Sequence, residues 1–448
     1  MISLRRTTMV LAGGACLLLF LSGCGSAITS SNNAPASIAV GTTRGVVMGG
    51  QQPVAGVTLQ LYQAGTGGYG SAATQLGPSV QTTAAGNFNL PAYTCSSGSQ
   101  VYLVGTGGQP IAASSTSPAV TNNNLALMVG LGTCGGSYLN NFINVNELTT
   151  VATIWALAPF MTGIANIGTS SANTAGLADA FATINQIVAT ANGTLPGPTL
   201  PTGATLPTTE LNTLADILEQ CINSAGGVAG DQSNCGNLFN LAPNAAGTIY
   251  PTDTITAAMN IAQNPGRNVA SLNKLRSASP VFQPSLSVNS PPTAWTVAIT
   301  YTGGGLNSPS SLAVDASGAV WVTNKTGSSV TKLDSTGSAI SGATGFTAGG
   351  ISSPSAIAID SSGNAWIADA GSNSITELNS NGSNGLSFSG NGLSSPASIA
   401  IDGSGNVWVA NGGSNVISVF TAGGGVLSGS PYSGAGITAP VSIAITPK

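Results

Sequence analysis

Three aspartates, Asp315, Asp360 and Asp402, stand 45 and 42 residues apart, each followed three residues on by a glycine and six on by a tryptophan, Trp321, Trp366 and Trp408. Carboxylates repeated in this way could do two kinds of chemistry: face one another as a calcium-holding ring, or work in pairs as general acid and base. A third reading is structural, because an aspartate just ahead of a Ser-Gly turn can bond the N–H groups of that turn. The uniform setting of all three favours the structural reading. Asp369 and Glu377, both in the second repeat, remain as catalytic candidates. Asp369 breaks the pattern, since Asn324 and Asn411 occupy its equivalent positions.

Composition works against catalysis. The chain has 448 residues and no histidine. The commonest general base, the Ser-His and Cys-His nucleophilic pairs and every His-ligated metal site are therefore excluded together. Its 9 basic and 13 acidic residues give a net charge of −4, with no basic stripe for phosphates, so nucleic acid is not an expected partner. The strings Gly65–Gly70 and Gly130–Gly135 both satisfy G-x-G-x-x-G, but neither has the acidic residue about 20 positions on that a dinucleotide site requires. Ser271-x-x-Lys274, Ser287-x-Asn289 and Lys325-Thr326-Gly327 occur in the order of the penicillin-binding and β-lactamase motifs, at separations far too short for that chemistry. No cofactor is expected.

The N-terminus begins with Arg5 and Arg6, continues through an apolar stretch from Met9 to Leu21 and ends in Leu21-Ser22-Gly23-Cys24. These are the parts of an export signal, too short for a comfortable membrane span. Leu21 to Cys24 resembles the bacterial lipoprotein lipobox, which implies cleavage before Cys24 and lipidation of its sulfur. Gly25 and Ser26 in place of an aspartate imply sorting to the outer membrane, so the membrane is a partner through the lipid. The alternative is an ordinary secretory signal. Four cysteines then remain, Cys95, Cys134, Cys221 and Cys235. An even count in an exported chain favours disulfides. Of three connectivities, pairing Cys95 with Cys134 and Cys221 with Cys235 is preferred, because each pair brackets one local segment. A four-thiolate zinc site has no C-x-x-C pair to support it.

The elements that must carry these residues follow from periodicity. The sequence predicts a signal peptide over 1–23, a tether over 24–37, a small β-sandwich over 38–118, a helical domain over 120–285 and repeats over 286–448. Val54, Val57, Leu59 and Leu61 lie on or beside a period-2 alternation. Further strands are expected at Ser79–Thr83, Asn87–Leu90 and Val101–Gly105. The strings Gly45-Val46-Val47, Pro53 to Val57 and Gly86 to Pro91 resemble the carboxypeptidase regulatory-like, or transthyretin-like, sandwich, although Thr83-Ala84-Ala85 lacks that family's acidic residue. From about residue 120 the period becomes 3.6. Asn144 with Glu147 reads as an Asn capping box, and helices are expected around Leu148–Phe160, Leu177–Val188, Leu211–Ile222, Thr254–Ala262 and Asn268–Leu275. Trp155 is read as core. A Ser- and Pro-rich linker is expected over 276–294.

Units of about 40 to 45 residues with strands and glycine turns mark propeller blades. The segments starting at Ser308-Pro309, Ser353-Pro354 and Ser395-Pro396 resemble blades of the NHL and streptogramin-lyase type, and a fourth unit begins at Ala439-Pro440. The family reaction depends on a histidine, so the likeness implies fold and not that reaction. Trp295 to Tyr301 and Val441 to Thr446 could combine as one split blade and close a four-bladed ring. The alternative is an open arc that needs a partner or a second copy of the chain. The fold class expected is therefore multidomain and mainly β, with a helical middle domain and a partial or small propeller. The function expected is a cell-envelope lipoprotein with a non-catalytic binding, adhesion or scaffolding role toward a protein or glycan. A streptogramin-lyase-like or carboxylate-dependent carbohydrate-active enzyme is the alternative.

Overall fold

Alternation of apolar and polar residues builds the first half of the molecule, which is described by a computed structural model over residues 36–110, 118–136 and 142–445. The export segment, Cys24 and all but the end of the expected tether lie outside these residues. β1 (Ser37–Val40) pairs with β7 (Tyr93–Ser96). β2 (Thr43–Gly49) is the hub of one sheet, bordered by β3 (Gln52–Pro53), β6 (Asn87–Leu90) and, in parallel, β10 (Ile143–Val145). The other sheet runs in the order β5 (Thr74–Gln81), β4 (Thr58–Gln63), β8 (Gln100–Thr106), β9 (Ala126–Thr133). Cys95 is bridged to Cys134, and Cys221 to Cys235.

β8 and β9 are buried along nearly their whole length. Strands buried on both faces read as continuous apolar runs, which is how Ala126 to Leu131 reads. The cover is helical: α1 (Glu147–Leu157), α2 (Thr174–Ile187) and α5 (Thr254–Gln263) pack on β9. Threonines also satisfy the open edge of β9. Ala126 N–H donates to Thr254 Oγ1, Met128 N–H to Thr150 Oγ1 and Gly130 N–H to Thr153 Oγ1, each at 2.9 Å. An edge strand is thus closed by hydroxyls rather than by another strand. Gly130 leaves room for α2, since a Cβ there would lie 2.2 Å from Ile184 Cδ1.

The expected division near residue 118 therefore falls inside a shared structure. β9 and β10 complete the two sheets, and α1, α2, α3 (Thr208–Ile222), α4 (Asn234–Leu241), α5 and α6 (Val269–Leu272) join the same apolar core. A short hairpin, β11 (Met161–Gly163) and β12 (Asn166–Ile167), follows α1. The cap of α1 is also displaced from the expectation. Asn146 is the N-cap, accepting from Thr149 N–H, while Thr149 Oγ1 accepts from Asn146 N–H. Asn144 belongs to β10, and Glu147 turns inward. Residues 276–294 carry no helix or strand, but Phe282 N–H donates to Asp216 and Asn212 donates to Pro284 O, so the expected linker is tied to α3.

Three antiparallel blades follow, and the molecule is mainly β with a propeller-like C-terminal region. Blade one comprises β13 (Pro309–Val314), β14 (Val320–Asn324) and β15 (Ser329–Leu333). Blade two comprises β16 (Pro354–Ile359), β17 (Ala365–Asp369), β18 (Ser374–Leu378) and β19 (Leu386–Ser389). Blade three comprises β20 (Pro396–Ile401), β21 (Val407–Asn411) and β22 (Val416–Phe420). Two apolar clusters, separate from the main core, fill the joints between blades one and two and between two and three.

The split blade does not form. Trp295 is buried in the main core, Trp155 Nε1 donates to its carbonyl at 2.8 Å, and Thr300 bridges to Thr205. Residues 441–445 form no strand. The segment from Trp295 to Tyr301 is held by the helices, so it is not free to complete a fourth blade.

Candidate functional site

Each repeated aspartate is turned into its own hairpin. Asp402 Oδ1 accepts from Ser404 N–H and Asn406 N–H at 2.9 Å, and Oδ2 accepts from Trp408 Nε1 at 2.9 Å. Asp360 makes the same set with Ser362, Asn364 and Trp366, and Asp315 with Ser317, Ala319 and Trp321. Burial acts to raise the Asp402 carboxyl, but the bonds from Trp408 and Asn406 outweigh it and hold the group down at about 2. Asp315 is likewise held well below the usual range, with Lys332 Nζ 3.1 Å from its Oδ2. Lys332 also sits 4.4 Å over the Trp321 ring and donates to Ser380 O of blade two. These carboxylates face their turns rather than one another. Among the described residues no group of three His, Cys, Asp or Glu side chains could hold a metal.

Asp369 and Glu377 are not brought together. Asp369 pairs with Ser374 and Glu377 with Trp366, a difference of three residues along the ladder. Three steps of ~3.3 Å separate them by roughly 10 Å, and the odd step places them on opposite faces. Asp369 Oδ1 accepts from Ser352 N–H and Oδ2 from Thr376 Oγ1 at 2.7 Å. Asn324 and Asn411 accept from Asn307 N–H and Ser394 N–H in the same place. The aspartate therefore does the work of the repeat's asparagine, with burial pushing its carboxyl up to about 6. Glu377 borders a cleft of about 520 Å³ with Asn364, Asn379, Asn384 and Leu386.

A second repeated set joins the blades. Tyr301, Phe346, Phe388 and Tyr432 recur at spacings of 45, 42 and 44 residues, a period the sequence displays beside that of the aspartates. Phe346 packs on Trp321, Phe388 stacks on Trp366 and Tyr432 on Trp408. Phe346 and Phe388 also meet a glycine of the following blade: a Cβ on Gly382 would lie 2.3 Å from Phe346 and one on Gly424 1.9 Å from Phe388. Tyr301 serves Gly337 of blade one in this way, and its hydroxyl donates to Gln186 of α2 at 2.9 Å. Serines add a polar stitch. Ser310 Oγ donates to Pro354 O at 2.8 Å, and Ser355 Oγ to Pro396 O at 2.6 Å.

The arc is open at its first blade. Leu312 and Val314 on β13 are 64% and 56% exposed, whereas Ile357 and Ile399, the equivalents of Leu312, are each 7% exposed inside the joints. Helix α2 meets this blade at its turns, where Gln186 Nε2 donates to Thr336 O and Asp179 lies near Gly318. Beyond blade three, Ala439 N–H donates to Asn415 as Ser395 N–H does to Asn373. Ala397 stands where the stitching serine would be.

No family model and no curated protein matches this chain. Among solved structures, a streptogramin B lyase matches with 19% identity and a TM-score of 0.26, covering 31% of this chain and 44% of its own. A catalytically inactive virginiamycin B lyase from Staphylococcus aureus with quinupristin gives 16% identity and a TM-score of 0.28 over 31% of this chain and 46% of its own. A nidogen–laminin complex gives 14% identity and a TM-score of 0.27 over 33% and 54%. The chain thus spans about half or less of the length of these structures.

Proposed function

We propose that this chain is a lipid-anchored protein of the bacterial outer membrane that holds a protein partner through its propeller-like arc and carries out no reaction. The observation that supports this most is the bare inner strand of blade one. Leu312 occupies a position that the repeat buries between blades and Val314 one that it half-buries, and an apolar edge of this kind is closed by another surface. A second copy of the chain is one surface of suitable chemistry. Cys24 would carry the lipid, the tether would follow it, and the two-sheet body, likened above to carboxypeptidase regulatory-like modules, would act as the mount. An enzymatic role resting on Asp369 or Glu377 has less support, because Asp369 does the work of the repeat's asparagine and the register keeps the two carboxylates apart.

The test is capture from envelope extract together with light scattering of the purified chain, for wild type and for Leu312→Asp with Val314→Asp. Wild type should associate with a protein partner or with itself, and the double substitution should abolish the association with blade two and three tryptophan fluorescence unchanged. A wild-type monomer that retains no envelope protein would overturn the proposal.

A further inference from the structure

The sheet around β2 turns a different surface outward. Gly45 lies between Phe88 of β6 and Ile143 of β10 in register, and both those side chains are buried. Alternation then places Arg44 and its cross-strand partner Asn89 on the outer face, with Asn87 one pair further along. Phe142, just before β10, is 41% exposed on the same side. Together with Gln81 and Thr83 these residues line a cleft of about 580 Å³, within the size range of small-ligand sites.

Two polar side chains of this cleft are taken up locally, Thr83 Oγ1 accepting from Asn87 N–H and Gln81 Nε2 donating to Thr58 Oγ1. Arg267 donates to Asn244 O and Ala245 O, and Arg276 to Ser285 Oγ. Among the described residues Arg44 is the one arginine whose guanidinium makes no hydrogen bond or ion pair, and the side-chain amides of Asn87 and Asn89 have no partner either. A guanidinium offers a planar fork that fits one carboxylate bidentately. Amides both donate and accept, which suits hydroxyls that do the same. A phenyl face accommodates the C–H face of a sugar ring. Among the described residues Arg44 is the one cation lining the cleft, so its charge matches a single carboxylate rather than a phosphate.

We infer that this face binds an acidic saccharide, with the uronate carboxylate on Arg44, the pyranose ring on Phe142 and hydroxyls on Asn87 and Asn89. The site is separate from the arc and stands whether or not the arc takes a partner. Titration calorimetry of the full chain with short oligosaccharides of galacturonic, glucuronic and mannuronic acid, and with neutral cellotriose, tests it. At least one acidic oligosaccharide should bind, with cellotriose weaker by about tenfold or more. Arg44→Ala should weaken the acidic ligand by about ten- to a hundredfold, the scale of a charge-assisted pair. Arg44→Lys should keep part of the affinity, and Phe142→Ala should lose several-fold. Melting temperatures should stay at the wild-type value, because Arg44 and Phe142 are exposed. Absence of binding by all three acidic ligands, equal affinity in Arg44→Ala, or displacement by inorganic phosphate at the concentration of the sugar would each overturn the inference.

Discussion

At the scale of single residues, a side chain that resembles a catalytic group is defined by what it already holds. Asp402 binds two backbone N–H groups and the Trp408 indole, leaving it little freedom to act as a base. Its value is structural, and its size can be measured. Asp402→Ala should destabilise blade three by about 2–4 kcal/mol, since it orphans several donors at once, while Trp408→Phe should cost about 1–2 kcal/mol. A double-mutant cycle by urea unfolding, followed by circular dichroism, should give a coupling of about 1 kcal/mol, and a coupling of zero would mean that the indole bond contributes nothing. The recurrence of Asp, Gly and Trp was enough to read this turn from sequence. The aromatic bolts were equally visible as a period, but a lone Phe or Tyr in a loop carries no local sign that a glycine of the next blade must lie against it.

At the scale of elements, the junction between the β2–β3 turn and α1 rests on a buried acid. Glu147 Oε1 accepts from Gly50 N–H at 2.8 Å, while Oε2 has no partner. Burial, with Glu219 and Asp216 nearby, pushes its carboxyl up to about 8. A carboxyl whose folded pKa lies above its unfolded value near 4.5 binds more protons in the native state across that interval. Its contribution is fully present below about pH 4.5 and is lost as pH rises toward about 8. Asp216, raised to about 6, adds a loss of the same sign at lower pH. Chemical unfolding between pH 5 and 9 should therefore show stability falling with pH, and Glu147→Gln should flatten that slope. An unchanged slope would refute the assignment to Glu147. Sequence periodicity located α1 but placed its cap two residues early, because Asn144 and Asn146 look alike until the parallel pairing of β10 claims the first. The threonines that close the edge of β9 were not legible either. A hydroxyl on a helix has no preferred partner until the fold presents one.

At the scale of the whole molecule, stability is divided between unlike halves. The sheets and helices share one core that contains both disulfides, whereas the blades have only their own small clusters. Closing loops of 39 and 14 residues in sequence separation is worth roughly 3–4 kcal/mol each in the chain-entropy model. Reduction with a thiol should lower the thermal transition of the first half by many degrees and leave the transition of the blades in place. A single transition that moves as one under reduction would show that the halves unfold together. The sequence made the blades recognisable, but the boundary near residue 118 cuts through a sheet whose last strands lie beyond it, and the segment from Trp295 to Tyr301 belongs to the helices rather than to a fourth blade. The joints between blades have a further consequence. Ser310 and Ser355, Phe346 and Phe388, Gly382 and Gly424 make every joint a copy of the last, so the unit of inheritance here is the joint together with its blade. Gene duplication or loss of one such unit would lengthen or shorten the arc using only contacts that the existing joints already make.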